Sequence, residues 1–492
     1  MSLVRRRWWP TLVLLGGLAG VAAVHAQEPA PAPAPLACPV AAPTDRPLPI
    51  NLPTALQLAG VRPIDISIAS ERIRTASAQL DRANVLWLPT VYVGGDYFRH
   101  DGQIQDVAGN VLGTSKSSLM FGAGPSAVFA ISDALFQPLA ARQELRAREA
   151  ALQTARNDSL LAAAEAYFNV QQARGELAGA IDAARRAEEV AHKAEELTKS
   201  LVPLAEAART RAEAARRRQA VLAAREHWRT ASAELTRVLR LDAAAVVEPL
   251  EPPHLQVALI APDRSVDELI GLALTSRPEL AAQQALVRAT LERLRAERLR
   301  PLIPSVLLRG ASTSVTGTLA GGYFGGGIND KMSNFGGRLD IDVQVLWEFQ
   351  NLGFGNRARV EERKAENRVS VLELFRLQDR VAAEVAQAHA QLESAAARLA
   401  EAEAGLRDAV DSANKNLEGM GLTKSTGKGP DALTLLVIRP LEAVASVQAL
   451  AQAYADYYGA IGDYNRAQFR LYRALGAPAQ AAACELEKAA PQ

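Results

Sequence analysis

Between residues 339 and 347 the chain alternates: Leu339, Ile341, Val343, Val345 and Trp347 are interleaved with Asp340, Asp342 and Gln344. A period of two puts the apolar side chains on one face of a strand and the polar ones on the other. A weaker version comes earlier, where Phe121, Ala123, Pro125, Ala127, Phe129 and Ile131 face away from Gly122, Gly124 and Ser126. Residues 90–98 and 305–312 supply a partner strand for each. The polar, Gly-rich stretches 100–118 and 313–335 between partners are expected to be loops. The pattern predicts two hairpins, with four strands at about 90–98, 119–132, 305–312 and 337–348.

Elsewhere the period is helical. No proline lies between Pro138 and Pro203, where only Gly175 and Gly179 interrupt, and none between Gly355 and Gly419, where only Gly405 does. Each gap is about 63 residues, or roughly 95 Å of helix. Helices of that length cannot fold into a globule, so the molecule is expected to be a rod. Each turns at a break, at residues 200–203 and 419–431, and a shorter helix returns to end near Leu241 and Gly476.

The pattern occurs twice. A helical stretch runs from Arg62-Pro63 to Leu88-Pro89, and a similar one from Arg277-Pro278 to Ile303-Pro304, with the prolines 26 positions apart in both. Equal spacing around similar elements marks an internal duplication. The expected organisation is a signal segment at 1–26, a Pro/Ala-rich leader at 27–53, a first repeat at 54–250 with long helices over about 134–240, a second repeat at 251–478 with long helices over about 355–476, and a tail at 479–492.

Composition agrees with long packed helices: aromatics are only 5% of the 492 residues, so any core rests on Ala, Leu and Val. A net charge of +1 leaves no electrostatic footprint for nucleic acid. Arg5, Arg6 and Arg7, the apolar run at 12–24 and Val24-His25-Ala26 read as a secretory signal with its cleavage site. Losing those three arginines takes the charge from +1 to −2. The cysteines, Cys38 and Cys484, leave three readings open: a disulfide tying leader to tail, lipidation of Cys38, or free thiols.

An exported chain without a membrane-length apolar helix, but with two-faced strands of about 9–12 residues, suits an outer-membrane barrel. Trp347, Tyr97 and Phe98 lie near strand ends, where aromatic girdles form. In hydrocarbon every backbone group must be paired, so only a closed barrel survives there. Four strands cannot close one; three copies would supply about twelve. The long helices would then form a tube coaxial with the barrel.

Tyr457-Tyr458, residues 463–471 (DYNRAQFRL) and Ala474-Leu475-Gly476 resemble the closing signature of TolC-like outer-membrane efflux proteins. The segments 233–235 and 239–241 look like its worn first-half partner, residues 166–170 (AYFNV) resemble the family's segment on its first long helix, and Arg277-Pro278-Glu279-Leu280 resembles the start of the helix before the strands. The likeness covers residues 52–478. It implies a mainly α fold with a membrane β-barrel: a homotrimer with a 12-strand barrel in outer-membrane lipid, continued by a helical tube in the periplasm. Such a tube docks a periplasmic adaptor and an inner-membrane pump, and passes drugs, ions or proteins passively. The second-half turn is longer and more basic than the family's usual tip.

On this basis Asp408, Asp411 and Glu418 are candidates for an acidic periplasmic entrance. Gly419, Gly421, Thr423, Lys424, Gly427 and Lys428 are candidates for adaptor contact, and Asp340, Asp342 and Gln344 for the barrel lumen. No cofactor is expected, and no enzyme chemistry: the six histidines are scattered, and the Gly cluster at 321–327 lacks the following Lys-Ser/Thr of a phosphate loop. The competing reading is a periplasmic coiled-coil scaffold or adaptor without a barrel. The cargo stays open.

Overall fold

In a computed structural model the described residues are 36, 39–40, 45–198, 202–310, 319, 321–328, 331–426 and 433–476. The signal segment, Cys38, Gly427, Lys428, Cys484 and the tail from 477 lie outside them. The first half consists of β1 (Arg46–Ile50), α1 (Leu52–Ala59), α2 (Ile64–Asn84), β2 (Thr90–Gln105), β3 (Val111–Ala130), α3 (Ile131–Leu197) and α4 (Leu204–Leu239). Strand β4 (Ala245–Pro249) leads into the second half: α5 (Val266–Ser276), α6 (Pro278–Leu299), β5 (Ser305–Gly310), β6 (Gly321–Ile328), β7 (Lys331–Leu339), β8 (Ile341–Leu346) and α7 (Phe354–Gly419). Strands β9 (Thr423–Thr426) and β10 (Leu433–Leu436) precede α8 (Pro440–Ala474). The halves match element for element: α2 and α6 have 21 and 22 residues, α3 and α7 67 and 66, α4 and α8 36 and 35. The long helices run about 100 Å.

The pairing of α7 with α8 follows a heptad seam. On α7, Val381, Val385, Ala388, Leu392, Ala395, Leu399, Leu406 and Ala413 are buried at alternating steps of three and four or their multiples; on α8 so are Val447, Leu450, Tyr454, Tyr457, Ile461, Tyr464 and Leu471. That spacing packs two helices side by side with a slight supercoil. The register of α3 against α4 is keyed by charge: Arg211 meets Glu195 and Arg218 meets Glu188, each at 3.1 Å and seven residues apart along both helices. Exposed pairs add little stability, but they disfavour other registers.

Gly175 and Gly179 are sockets rather than interruptions. A Cβ on Gly175 would overlap the Tyr458 ring, and one on Gly179 would overlap Tyr454. The missing side chains let α8 lie close against α3, with both tyrosines seated on the helix backbone.

The strands extend beyond the lengths expected from alternation. The stretch at 100–118 is mostly strand, because β2 and β3 stay paired from Thr90↔Ser126 up to Gln105↔Val111. Above the apolar layer polar and small residues dominate both faces, so no alternation is kept there, and the ladder continues on backbone bonds. Likewise 321–328 and 331–339 pair as a hairpin stacked above β5 and β8. The upper hairpin and the β5–β8 pair form one broken ribbon: β3 pairs with β5 through Ser126↔Arg309 and with β6 through Ala123↔Gly321, so three steps on β3 span twelve on its partner. At that break Gly122 and Gly322 approach so closely that neither could carry a Cβ.

The leader is not wholly without packing. Residues 46–50 pair in parallel with β4, and Ile50 is buried. Two prolines in five residues hide this strand from any alternation rule. Asn51 then caps α1, its Oδ1 accepting from Thr54 N at 2.9 Å.

Gly175→Ala and Gly179→Ala are each expected to destabilise the protein by about 1–3 kcal/mol through overpacking. Gly405→Ala, where an added Cβ meets nothing, is expected to be neutral or stabilising by up to about 1 kcal/mol. Thermal melts of the three variants check the contrast.

Candidate functional site

Two parts of the rod carry features that packing does not explain: the strand sheet at one end and the tip at the other. In the sheet, neighbours across the ladder share a face, so the register of Val345 with Val306 and of Val306 with Phe129 puts all three on one side. That side is exposed: Leu339, Ile341, Val343 (61% accessible), Val345 and Trp347 all lie open, as do Val91, Val93, Tyr97 and Phe121. Asp340, Asp342 and Gln344 are half-buried on the opposite side, where Gln344 Nε2 donates to Asp342 Oδ2 at 2.7 Å. The sheet is inside out for water: apolar outside, polar within.

Aromatics bound the apolar band. Trp87, Trp347, Phe349 and Phe354 lie exposed where strands meet helices. Tyr97, Phe121, Tyr323 and Phe335 are exposed higher up, with the last two rings stacked at 5.7 Å. Phe335 and Trp347 are twelve residues apart on one chain, roughly 30 Å once strand tilt is allowed for. Phe98 takes no part in this face; the ladder places it opposite Ser118, on the polar side.

At the other end, β9 and β10 form an antiparallel hairpin where the sequence promised only a long basic turn. Val437 N donates to Leu422 O at 2.9 Å below it, and Met420 bridges to Ile438. Gly421, in the left-handed region at φ +100, makes the sharp exit from α7. Thr423 and Lys424 are exposed. Gly419 is not: it is buried, with the Ile438 side chain where a Cβ would be. Its place is in the packing of the tip, which a glycine count cannot foresee. Leu422, Val437 and, on the first turn, Leu204 are exposed apolar residues that sequence reasoning passed over; three lone apolar residues in turn regions carry no periodic signal.

Asp408, Asp411 and Glu418 are all exposed on the last turns of α7. Asp411 is bridged to Lys415 at 2.6 Å, one helical turn on. Above the tip lies a buried cluster missed in the sequence. Asp182 on α3 accepts from Arg186 Nε at 2.7 Å, from Arg185, and from Tyr454 Oη of α8 at 3.1 Å; Arg186 also donates to Asn414 Oδ1 of α7 at 2.6 Å. Burial pushes the Asp182 carboxyl up, but the hydrogen bonds and charges of Arg186 and Arg185 outweigh it and hold the pKa below 3.8. Burial and the Asp182 charge push the Tyr454 hydroxyl up.

The motif residues at the middle of the rod are fasteners. Asn465 and Gln468 on α8 satisfy the crossing segment before α5: Val257 N donates to Asn465 Oδ1 at 2.8 Å, and Ile260 N to Gln468 Oε1 at 2.9 Å. Arg277 is buried beside Glu279 and Glu384, and Arg473 joins them from α8. Among the described residues no cluster could hold a metal ion, and no helix is long and apolar enough to cross a membrane.

No protein-family profile and no curated protein matches the chain. Solved structures do. The outer-membrane channel OprN aligns over 87% of this chain and 90% of its own, at 17% identity and a TM-score of 0.67. The fold is the TolC-like channel fold. The outer-membrane protein VceC of Vibrio cholerae (15% identity, 86% and 96% covered, TM-score 0.65) and the open-state channel MtrE of Neisseria gonorrhoeae (16%, 87% and 89%, 0.62) share it.

The depressed Asp182 pKa gives stability that is fully present above the unfolded-state value near 3.8 and is lost as pH falls through the lower folded-state value. Asp182→Asn is expected to lower the melting temperature at pH 7 by roughly 2–4 °C. The gap to the unsubstituted protein should close as pH drops below 3.8, which melts across an acid series would record.

Proposed function

We propose that the chain is a subunit of an outer-membrane export channel that catalyses no reaction. The observation that carries this reading is the inside-out sheet: an exposed apolar face bounded by aromatics, a half-buried polar face and, among the described residues, a free strand at each edge. Lipid is the solvent that such a face fits, and the edges demand partners. Three copies give a 12-strand barrel in the outer membrane and a helical tube in the periplasm. The likeness to channels named as outer-membrane proteins supports the placement.

In the assembled trimer Asp340, Asp342 and Gln344 line the barrel lumen. Asp408, Asp411 and Glu418 recur three times around the lower entrance, where acidic rings favour cations. The β9–β10 hairpin, with Gly421, Leu422, Thr423, Lys424 and Val437, is the contact for a periplasmic adaptor, through which an inner-membrane pump delivers cargo for passive passage outward.

The mass of the detergent-extracted protein, by light scattering with detergent subtracted, is expected to equal three chains; a detergent-independent monomer would leave only a periplasmic helical scaffold. Val343→Arg, at mid-band on the lipid side, should cost about 2–4 kcal/mol and deplete the protein from the outer membrane, while Gln344→Arg is tolerated. Replacing residues 421–437 by a short neutral turn should abolish export while leaving the trimer in the membrane. Unchanged export would remove the hairpin from partner choice.

A further inference from the structure

The polar face of the sheet is not polar throughout. Near its upper end Phe98, Met120 and Phe324 share that face: Phe98 stands opposite Ser118, and Met120, two steps on, stands opposite Phe324. It is the same face as that of Asp342, because Asp342 pairs with Arg309 and Arg309 with Ser126, an even number of steps from Ser118 on β3. Phe98 and Phe324 are half-buried and Met120 is buried, although this side should meet water. Phe98 and Phe324 line a cavity of about 470 Å³, together with Lys116, Ser118 and Asn334. The outer face at this height carries Tyr97, Phe121, Tyr323 and Phe335, so the cavity sits at the outer mouth of the proposed lumen.

We infer that this cavity binds a small amphiphilic molecule bearing an aromatic ring and an anionic group as it leaves the channel. The inference rests on the channel reading above. The volume fits a ligand of drug size. Phe98 and Phe324 both line the cavity, and phenylalanine rings take aromatic surface by offset or edge contact. Lys116 presents an exposed ammonium on the outward side, with His100 opposite it in the ladder and the Asn334 amide and Ser118 hydroxyl as neutral hydrogen-bond groups. Asp101, one step from Lys116 in register, lies on the other face and is held by Arg99 and Ser115. Among the described residues the nearest acid on the cavity's face is Asp96, opposite Met120 on the inward side. An anionic head is therefore drawn outward to Lys116 and repelled from below, which orients the ligand with its ring toward the phenylalanines. The basic and acidic ends are four ladder steps apart, about 13 Å, so the site discriminates charge along the exit path.

The test is single-channel current through the full trimer in planar bilayers, with 8-anilinonaphthalene-1-sulfonate as the anionic probe and uncharged N-phenyl-1-naphthylamine as its control. The anion is expected to block from the strand side at concentrations about tenfold below the neutral dye, the worth of one charge-assisted contact. Lys116→Gln should erase that advantage and Lys116→Arg keep it. Phe98→Ser and Phe324→Ser should weaken block by both dyes, with Phe98→Leu as the milder companion. Absence of any conductance would overturn the channel reading itself. Conducting channels that neither dye blocks, or block that ignores Lys116 and both phenylalanines, would overturn the site and leave the channel standing.

Discussion

The two free edges of the strand sheet govern the rest of the structure. Among the described residues β2 pairs only with β3, and the β7–β8 edge only with β6 and β5. Each edge presents a row of unpaired amides and carbonyls beside an apolar face. In water such an edge invites aggregation; in lipid it is untenable unless another strand covers it. The chain thus ends its fold with both edges open, which is what the proposed trimer would satisfy. The rod follows from the same need. In the proposed trimer, helices that continue the strand layout downward without a globular core would be joined edge to edge in the same way.

Helix packing answers that need by being thin. The seams use Ala and Leu at heptad spacing, and glycine where tyrosines must fit, so adjacent helices lie close in a single curved layer. Bulk is confined to the middle of the rod, where α1, β1, β4 and the segment before α5 wrap the long helices. There the polar groups of Asn465, Gln468 and Arg277 hold irregular backbone that would otherwise lack partners. The charged cluster at Asp182 performs a similar service nearer the tip, joining three of the four long helices through one carboxylate.

Much of this was legible in the sequence. The duplication, the two hairpins, the long helices and their turns follow from proline spacing and from two periods, because both periods are kept wherever one face is uniformly apolar. Legibility failed where that pattern stops. The strands above the aromatic band carry mostly polar and small residues on both sides, so residues 100–105 and 111–118 looked like loop. Gly175, Gly179 and Gly419 looked like breaks or contacts, because a glycine's value lies in what a distant residue, Tyr458, Tyr454 or Ile438, places in the space. The lumen candidates Asp340, Asp342 and Gln344 are on the side that alternation assigns. The tip hairpin was invisible, since four-residue strands leave no pattern. Phe98 was placed with the girdle although the ladder turns it inward; one residue of register reverses every such assignment.

The junctions between strands and helices differ in the two halves. Strand β3 passes into α3 with no residue between them, Ala130 ending one and Ile131 starting the other. Strand β8 reaches α7 through Asn351, Leu352 and Gly353, all with positive φ. A torque on α3 must therefore be carried into hydrogen-bonded sheet, whereas a torque on α7 can be spent on a few backbone torsions. Mechanically, α3 is a welded strut and α7 hangs on a swivel, so rotation of α7 can be taken up at its upper end while the strands above stay still.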